Sequence, residues 1–121
     1  MKWTYDPATR TATGQEVVIK GMNNGGHNTR TVAVVPQAPN LLLAQVGSNG
    51  NWDYASESPS VGRSIVKVFD MDKVPSGGYT YNSQGTVLGY GMRNEIGLTF
   101  DPNGHVWGVE NSGDVSVKTQ L

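Results

Sequence analysis

The sequence predicts an all-β chain, and three observations carry that prediction. Helix-favouring residues never accumulate over a long window, whereas Gly, Asn, Ser and Thr are abundant. Apolar residues fall in short, often β-branched runs bounded by turn residues. Proline and glycine punctuate these runs at turn positions.

The runs, in chain order, are the candidate strands. Glu16–Lys20 carries Val17, Val18 and Ile19. Arg30–Val35 alternates and is β-branched. Pro36–Asn40 reads as a turn, and Asn40–Val46 is apolar until Gly47-Ser48-Asn49-Gly50 stops it. Asn51–Gly62 is a longer polar loop with Trp52, Tyr54 and Pro59, whose aromatics either pin it to the body or line a pocket. Arg63–Phe69 alternates Ile65, Lys67 and Phe69 against Val66 and Val68. Asp70-Met71-Asp72 lacks the length and ligand spacing of a calcium loop and is left as a strand end. Thr86–Tyr90, Ile96–Phe100 and His105–Val109 complete the series. Between the last two, Asp101-Pro102-Asn103-Gly104 predicts a hairpin loop. Proline presets φ at its first corner and glycine accepts positive φ at its exit.

The series repeats. Gly21-Met22-Asn23 and Gly91-Met92-Arg93-Asn94 introduce similar stretches. Asn28 and Asn94 lie 66 residues apart, as do Pro36 and Pro102. Upstream, Trp3-Thr4-Tyr5-Asp6 is similar to Tyr79-Thr80-Tyr81-Asn82. Repeated four-stranded units suggest β-propeller blades, here a first blade over about residues 1–76 and an incomplete second over 77–121. A compact two-sheet sandwich is the competing architecture. Propellers close with about four to eight blades, so fewer than two leave sheet faces uncovered. Self-association or the remaining blades of a larger ring is therefore expected as partner.

Composition excludes several functions. The chain has 121 residues and no Cys, which rules out a disulfide scaffold, a cysteine zinc site and a thiol nucleophile. A net charge of −1 argues against nucleic acid as a partner. Thr31–Val35 and Leu41–Ala44 are far shorter than the ~20 residues of a membrane helix, so no membrane partner is expected. Residues Met1–Asp6 contain no apolar signal-peptide core. No P-loop, dinucleotide fingerprint, GxSxG elbow or HExxH occurs. With two histidines in all, a multi-histidine metal site within one chain is not expected.

Three places can carry chemistry. His27, in a glycine-rich approach to a strand, is either a general base or a turn histidine capping local backbone. Arg93-Asn94 occupies the equivalent place in the second repeat. Its arginine either holds a carboxylate or developing negative charge, or pairs with Glu95 or Glu110. Glu110-Asn111-Ser112-Gly113-Asp114 is an oxygen-rich turn of the kind that can hold calcium, a weak signal alone. A further alternative is a carbohydrate-binding β domain using Trp3, Trp52 and Tyr54 as stacking platforms.

Two linked segments sharpen these options. Gly25–Thr31 followed by Leu41–Asn49, and Gly91–Gly104 followed by Trp107 and Glu110–Asp114, together resemble the soluble quinoprotein glucose/sorbosone dehydrogenases. The likeness covers roughly residues 14–114 and is strongest toward the fungal pyranose dehydrogenase branch. It implies a six-bladed β-propeller, secretion, and pyrroloquinoline quinone and calcium over a central channel. It implies a sugar substrate, with hydride passing to the quinone. Under it, His27 is the base, Arg93 and Asn94 contact the quinone, and the carbonyls of Ser112 and Gly113 ligate calcium. It also implies that other blades supply the site's opposite wall. A non-catalytic propeller unit that self-assembles remains the rival.

Overall fold

The computed structural model describes residues 1–23 and 25–111. The described chain is all-β, with ten strands and three short 3-10 turns. Among these residues no helix is long and apolar enough to cross a membrane.

The centre is a four-stranded antiparallel meander. It contains β4 (Val32–Val35), β5 (Ala38–Val46), β6 (Ile65–Asp70) and β8 (Thr86–Tyr90), in the order β4-β5-β6-β8. Three flanking pairs complete the fold. β1 (Lys2–Asp6) and β2 (Thr11–Glu16) form an antiparallel hairpin, and β9 (Glu95–Phe100) and β10 (Val106–Glu110) form another. The short β3 (Ile19–Lys20) and β7 (Tyr79–Thr80) pair in parallel.

The period-2 pattern of β5 and β6 explains why the meander forms. Alternate residues Ala44, Val46, Ile65 and Phe69 face one side and pack with Tyr81, against Ile19, Met22 and Tyr79. Phe69 meets Tyr79 and Tyr81 in tilted aromatic contacts at 5.2 and 5.8 Å. Lys67 points to the same side and is also buried. Its ammonium donates to the carbonyls of Tyr81, Asn82 and Gln84 at 2.7, 3.1 and 3.3 Å, which offsets the cost of burying a charge. Burial holds its pKa below the usual lysine value.

Several expectations are corrected. The expected strand Glu16–Lys20 is divided: β2 ends at Glu16, and β3 begins only at Ile19. Val18 is instead buried, and its carbonyl accepts from Tyr79 N–H at 2.8 Å. The turn expected over Pro36–Asn40 narrows to Pro36-Gln37, because Val35 pairs directly with Ala38. Pro39 and Asn40 lie in the register shift that follows, where Pro39 needs no ladder hydrogen bond. β8 hydrogen-bonds to β6 as fourth strand of the central sheet.

The hairpin at Asp101–Gly104 forms as expected. Gly104 has φ +84°, Gly104 N–H donates to Asp101 O at 3.0 Å, and Asp101 N–H donates to His105 O at 3.0 Å. The outer strands leave large apolar side chains exposed: Trp3 and Tyr5 on β1, and Ile96, Trp107 and Val109 on β9–β10.

Candidate functional site

Antiparallel order decides what meets what. The approach to β4, the end of β5, the start of β6, the β8–β9 connection and the end of β10 all lie at one end of the sheets. The opposite end holds Pro36-Gln37, the segment after Asp70, and Asp101–Gly104. His27, Ser48, the loop Asn49–Gly62, Arg93-Asn94 and Asn111 therefore share one end.

Ser48 is the junction. Its N–H donates to Arg93 O at 2.7 Å, and its carbonyl accepts from His27 N–H at 3.0 Å. The half-buried His27 imidazole places Nδ1 2.9 Å from Ser48 Oγ and 3.1 Å from Ser48 O. Ser48 Oγ donates its own proton to Gly50 O at 2.8 Å. Both oxygens therefore face Nδ1 as acceptors, so the neutral ring carries its proton there and keeps the Nε2 lone pair free. The close approach needs glycine at 47. A Cβ there would lie 3.0 Å from both His27 Cβ and Asn94 Oδ1.

Arg93 and Asn94 are clamped between two strand ends. Glu110 Oε2 accepts from Arg93 N–H at 2.8 Å, and Asn111 N–H donates to Asn94 O at 2.9 Å. The Arg93 guanidinium donates to Asn111 O at 3.1 Å and to Asn51 Oδ1. The expected alternative, a guanidinium paired with Glu95 or Glu110, is not what the structure contains. Glu110 takes the backbone N–H, and among the described residues no carboxylate forms a salt bridge with Arg93. Arg93 Nε is buried without a hydrogen-bond partner among the described residues. Asn94 is buried, and its Oδ1 accepts from Thr29 Oγ1 at 3.0 Å, leaving its amide N–H groups as donors.

This donor set suits an acceptor-rich anion. A guanidinium that no carboxylate among the described residues neutralises, with a buried N–H unpaired among those residues, beside the Asn94 amide, presents donors and positive charge together. A planar quinone carrying carboxylates matches that chemistry. Ser112 and Gly113 lie outside the described residues, and among those described no group of three His, Asp or Glu could hold a metal.

Behind Arg93, Glu95 is buried and lines a cavity of about 590 Å³ with Val66, Leu88, Met92, Leu98 and Val106. Burial, then the nearby Glu110 charge, pushes its carboxyl above the usual range. Sequence reasoning missed Ser48 as the histidine's partner and Gln45 as a brace. With its amide oriented as hydrogen bonding demands, Gln45 donates to Glu95 O at 3.1 Å and accepts from Gly47 N–H at 2.9 Å. The Gly-Ser-Asn-Gly strand stop was the visible signal for the first, and nothing local marks the second.

Comparison with known proteins identifies the relatives of this chain. The TrAA12-like family model matches residues 1–120. The chain is 47% identical over 113 residues to the pyrroloquinoline quinone-dependent pyranose dehydrogenase of Coprinopsis cinerea, covering 93% of this chain and 16% of that protein. The holo form of the Coprinopsis cinerea pyranose dehydrogenase PQQ domain superposes with a TM-score of 0.89 at 45% identity, over 98% of this chain and 30% of that one. The calcium structure of the Trichoderma reesei Carbohydrate-Active Enzymes Family AA12 protein gives 0.86 at 31% identity, over 93% and 29%. The chain thus spans less than a third of these relatives, and by that match it belongs to the TrAA12-like family.

Proposed function

We propose that this chain is part of a quinone- and calcium-dependent sugar dehydrogenase and forms one wall of its active site. The observation that carries the reading is the junction at Ser48, which orients the His27 ring through Nδ1 and holds it beside Arg93, whose guanidinium pairs with no carboxylate among the described residues. The names of the relatives, which specify pyrroloquinoline quinone and pyranose, support the choice of acceptor and substrate.

His27 Nε2 accepts the proton of the sugar hydroxyl being oxidised. Ser48 keeps Nδ1 protonated and fixes the ring against rotation, so the lone pair is presented rather than searched for. Arg93 and Asn94 hold the acceptor through donors whose backbone is fixed by Ser48, Glu110 and Asn111. Bound quinone and calcium supply a two-electron acceptor and a Lewis acid. The carbonyls of Ser112 and Gly113 are proposed as calcium ligands.

The exposed apolar faces of β1–β2 and β9–β10 support the companion inference that further blades or copies of the chain cover them. The functional test is oxidation of aldopyranoses by the full-length protein with quinone and calcium, read by reduction of an artificial acceptor. Quinone-dependent turnover is expected, and its absence across a panel of aldopyranoses overturns the reading.

A further inference from the structure

We propose that Trp52 and Tyr54 form the platform on which the substrate's pyranose ring lies, beside His27. The proposal rests on the dehydrogenase reading for its chemistry but on separate residues for its geometry. Trp52 is 70% exposed and Tyr54 73% exposed, on the loop at the same end of the sheets as His27 and Arg93. Large aromatics left in water forgo the stabilisation that burial would give them.

The loop that exposes them is firmly held. Asp53, between the two rings, turns inward and forms a two-pronged ion pair with Arg63, Nε to Oδ2 at 2.7 Å and Nη2 to Oδ1 at 2.8 Å. Asp53 Oδ2 also accepts from Asn49 N–H at 2.8 Å, and Asp53 O accepts from Ser56 Oγ at 2.7 Å. The alternation out-in-out thus presents both aromatic side chains from a fixed base. Both residues line a cavity of about 280 Å³ together with Ser48, Asn51, Glu57 and Arg93. Ser48 and Arg93 belong to the site already described, and Asn51 bonds Arg93 directly.

A pyranose has apolar C–H faces and a rim of hydroxyls. Flat aromatic surface beside amide and carboxylate groups suits that pattern better than it suits a wholly apolar or wholly ionic ligand. The volume, near the lower end of the roughly 300–1,000 Å³ usual for ligand pockets, fits one sugar ring rather than a chain.

The experiment uses the full-length protein and the variants Trp52→Ala, Trp52→Phe and Tyr54→Ala, with D-glucose as probe. Trp52→Ala should lower kcat/KM roughly tenfold, carried by KM, and Trp52→Phe should restore most of it. In quinone-free protein, glucose should change tryptophan emission saturably, and Trp52→Phe should lose that change. Unaltered kcat/KM in the folded Trp52→Ala and Tyr54→Ala variants of an active enzyme overturns the platform while leaving the dehydrogenase reading intact. Should the wild type oxidise no sugar, the dehydrogenase reading fails. The emission titration then decides the platform alone: a saturable change lost in Trp52→Phe upholds it, and no change overturns it.

Discussion

His27 Nδ1 lies within hydrogen-bond reach of both oxygens of Ser48, Oγ at 2.9 Å and the carbonyl at 3.1 Å. One residue thus sets the tautomer of the ring and, through its N–H to Arg93 O, the position of the neighbouring arginine. A polar pair of this kind acts as a unit, so its members should not be interchangeable.

Ser48→Ala should therefore act through His27. The carbonyl acceptor remains, so we expect a kcat loss of roughly tenfold. His27→Ala should remove on the order of 10²–10⁴ in kcat, the usual contribution of a positioned base. In the double variant the serine loss should largely vanish. A loss from Ser48→Ala that persists undiminished on top of His27→Ala would place the serine's role elsewhere.

Tyr81 is fully buried, with its hydroxyl 3.1 Å from both Ala44 O and Ile65 O. Tyr81→Phe leaves those buried carbonyls short of a donor and should cost about 1–3 kcal/mol. Thermal or urea unfolding of the variant checks it, and an unchanged midpoint contradicts the packing account.

Glu95 yields a stability prediction with a definite sign. Burial raises its folded-state pKa above the ordinary 4.5. The folded state then holds a proton that the unfolded state has lost, so stability falls as pH rises from about 4.5 through the raised value. Glu95→Gln should abolish that slope and be the more stable protein at neutral pH. Melting temperatures of the two proteins between pH 4 and 8 measure the difference.

Asp53 runs the other way. Hydrogen bonds from Arg63, with help from Asn49 N–H, hold its carboxyl below the ordinary 3.8. The ion pair's contribution is present above that ordinary value and is lost as pH falls through the depressed one. Trp52 emission should therefore be steady at neutral pH and shift only in strongly acidic solution. Asp53→Asn should show the shifted emission already at pH 7.

Much of this architecture was legible in the chain. Short apolar runs marked β4, β5, β6, β8, β9 and β10; in β5, β6 and β9 part of one face is packed, which gives the run its apolar signature. The β1–β2 hairpin escaped: its residues are all exposed and, unlike the equally exposed β10 with Val106, Trp107 and Val109, its second strand carries no apolar run. β3 was drawn too long and β7 escaped, because two-residue parallel pairing is set by distant partners, not local pattern. The 66-residue repeat pointed to His27 and to Arg93-Asn94, and the structure brings these segments together through Ser48. The Asp53–Arg63 pair, the Glu110 clamp and the Gln45 brace are contacts across the sheet ends, for which residue type alone gives no signal.

Titration of the full-length protein with pyrroloquinoline quinone in calcium, followed by the quinone's visible absorbance, tests most directly whether this wall holds the acceptor. The account predicts a saturable spectral change whose midpoint moves at least tenfold higher in Arg93→Ala. An identical titration curve in that variant, or none in the wild type at saturating quinone, would contradict it.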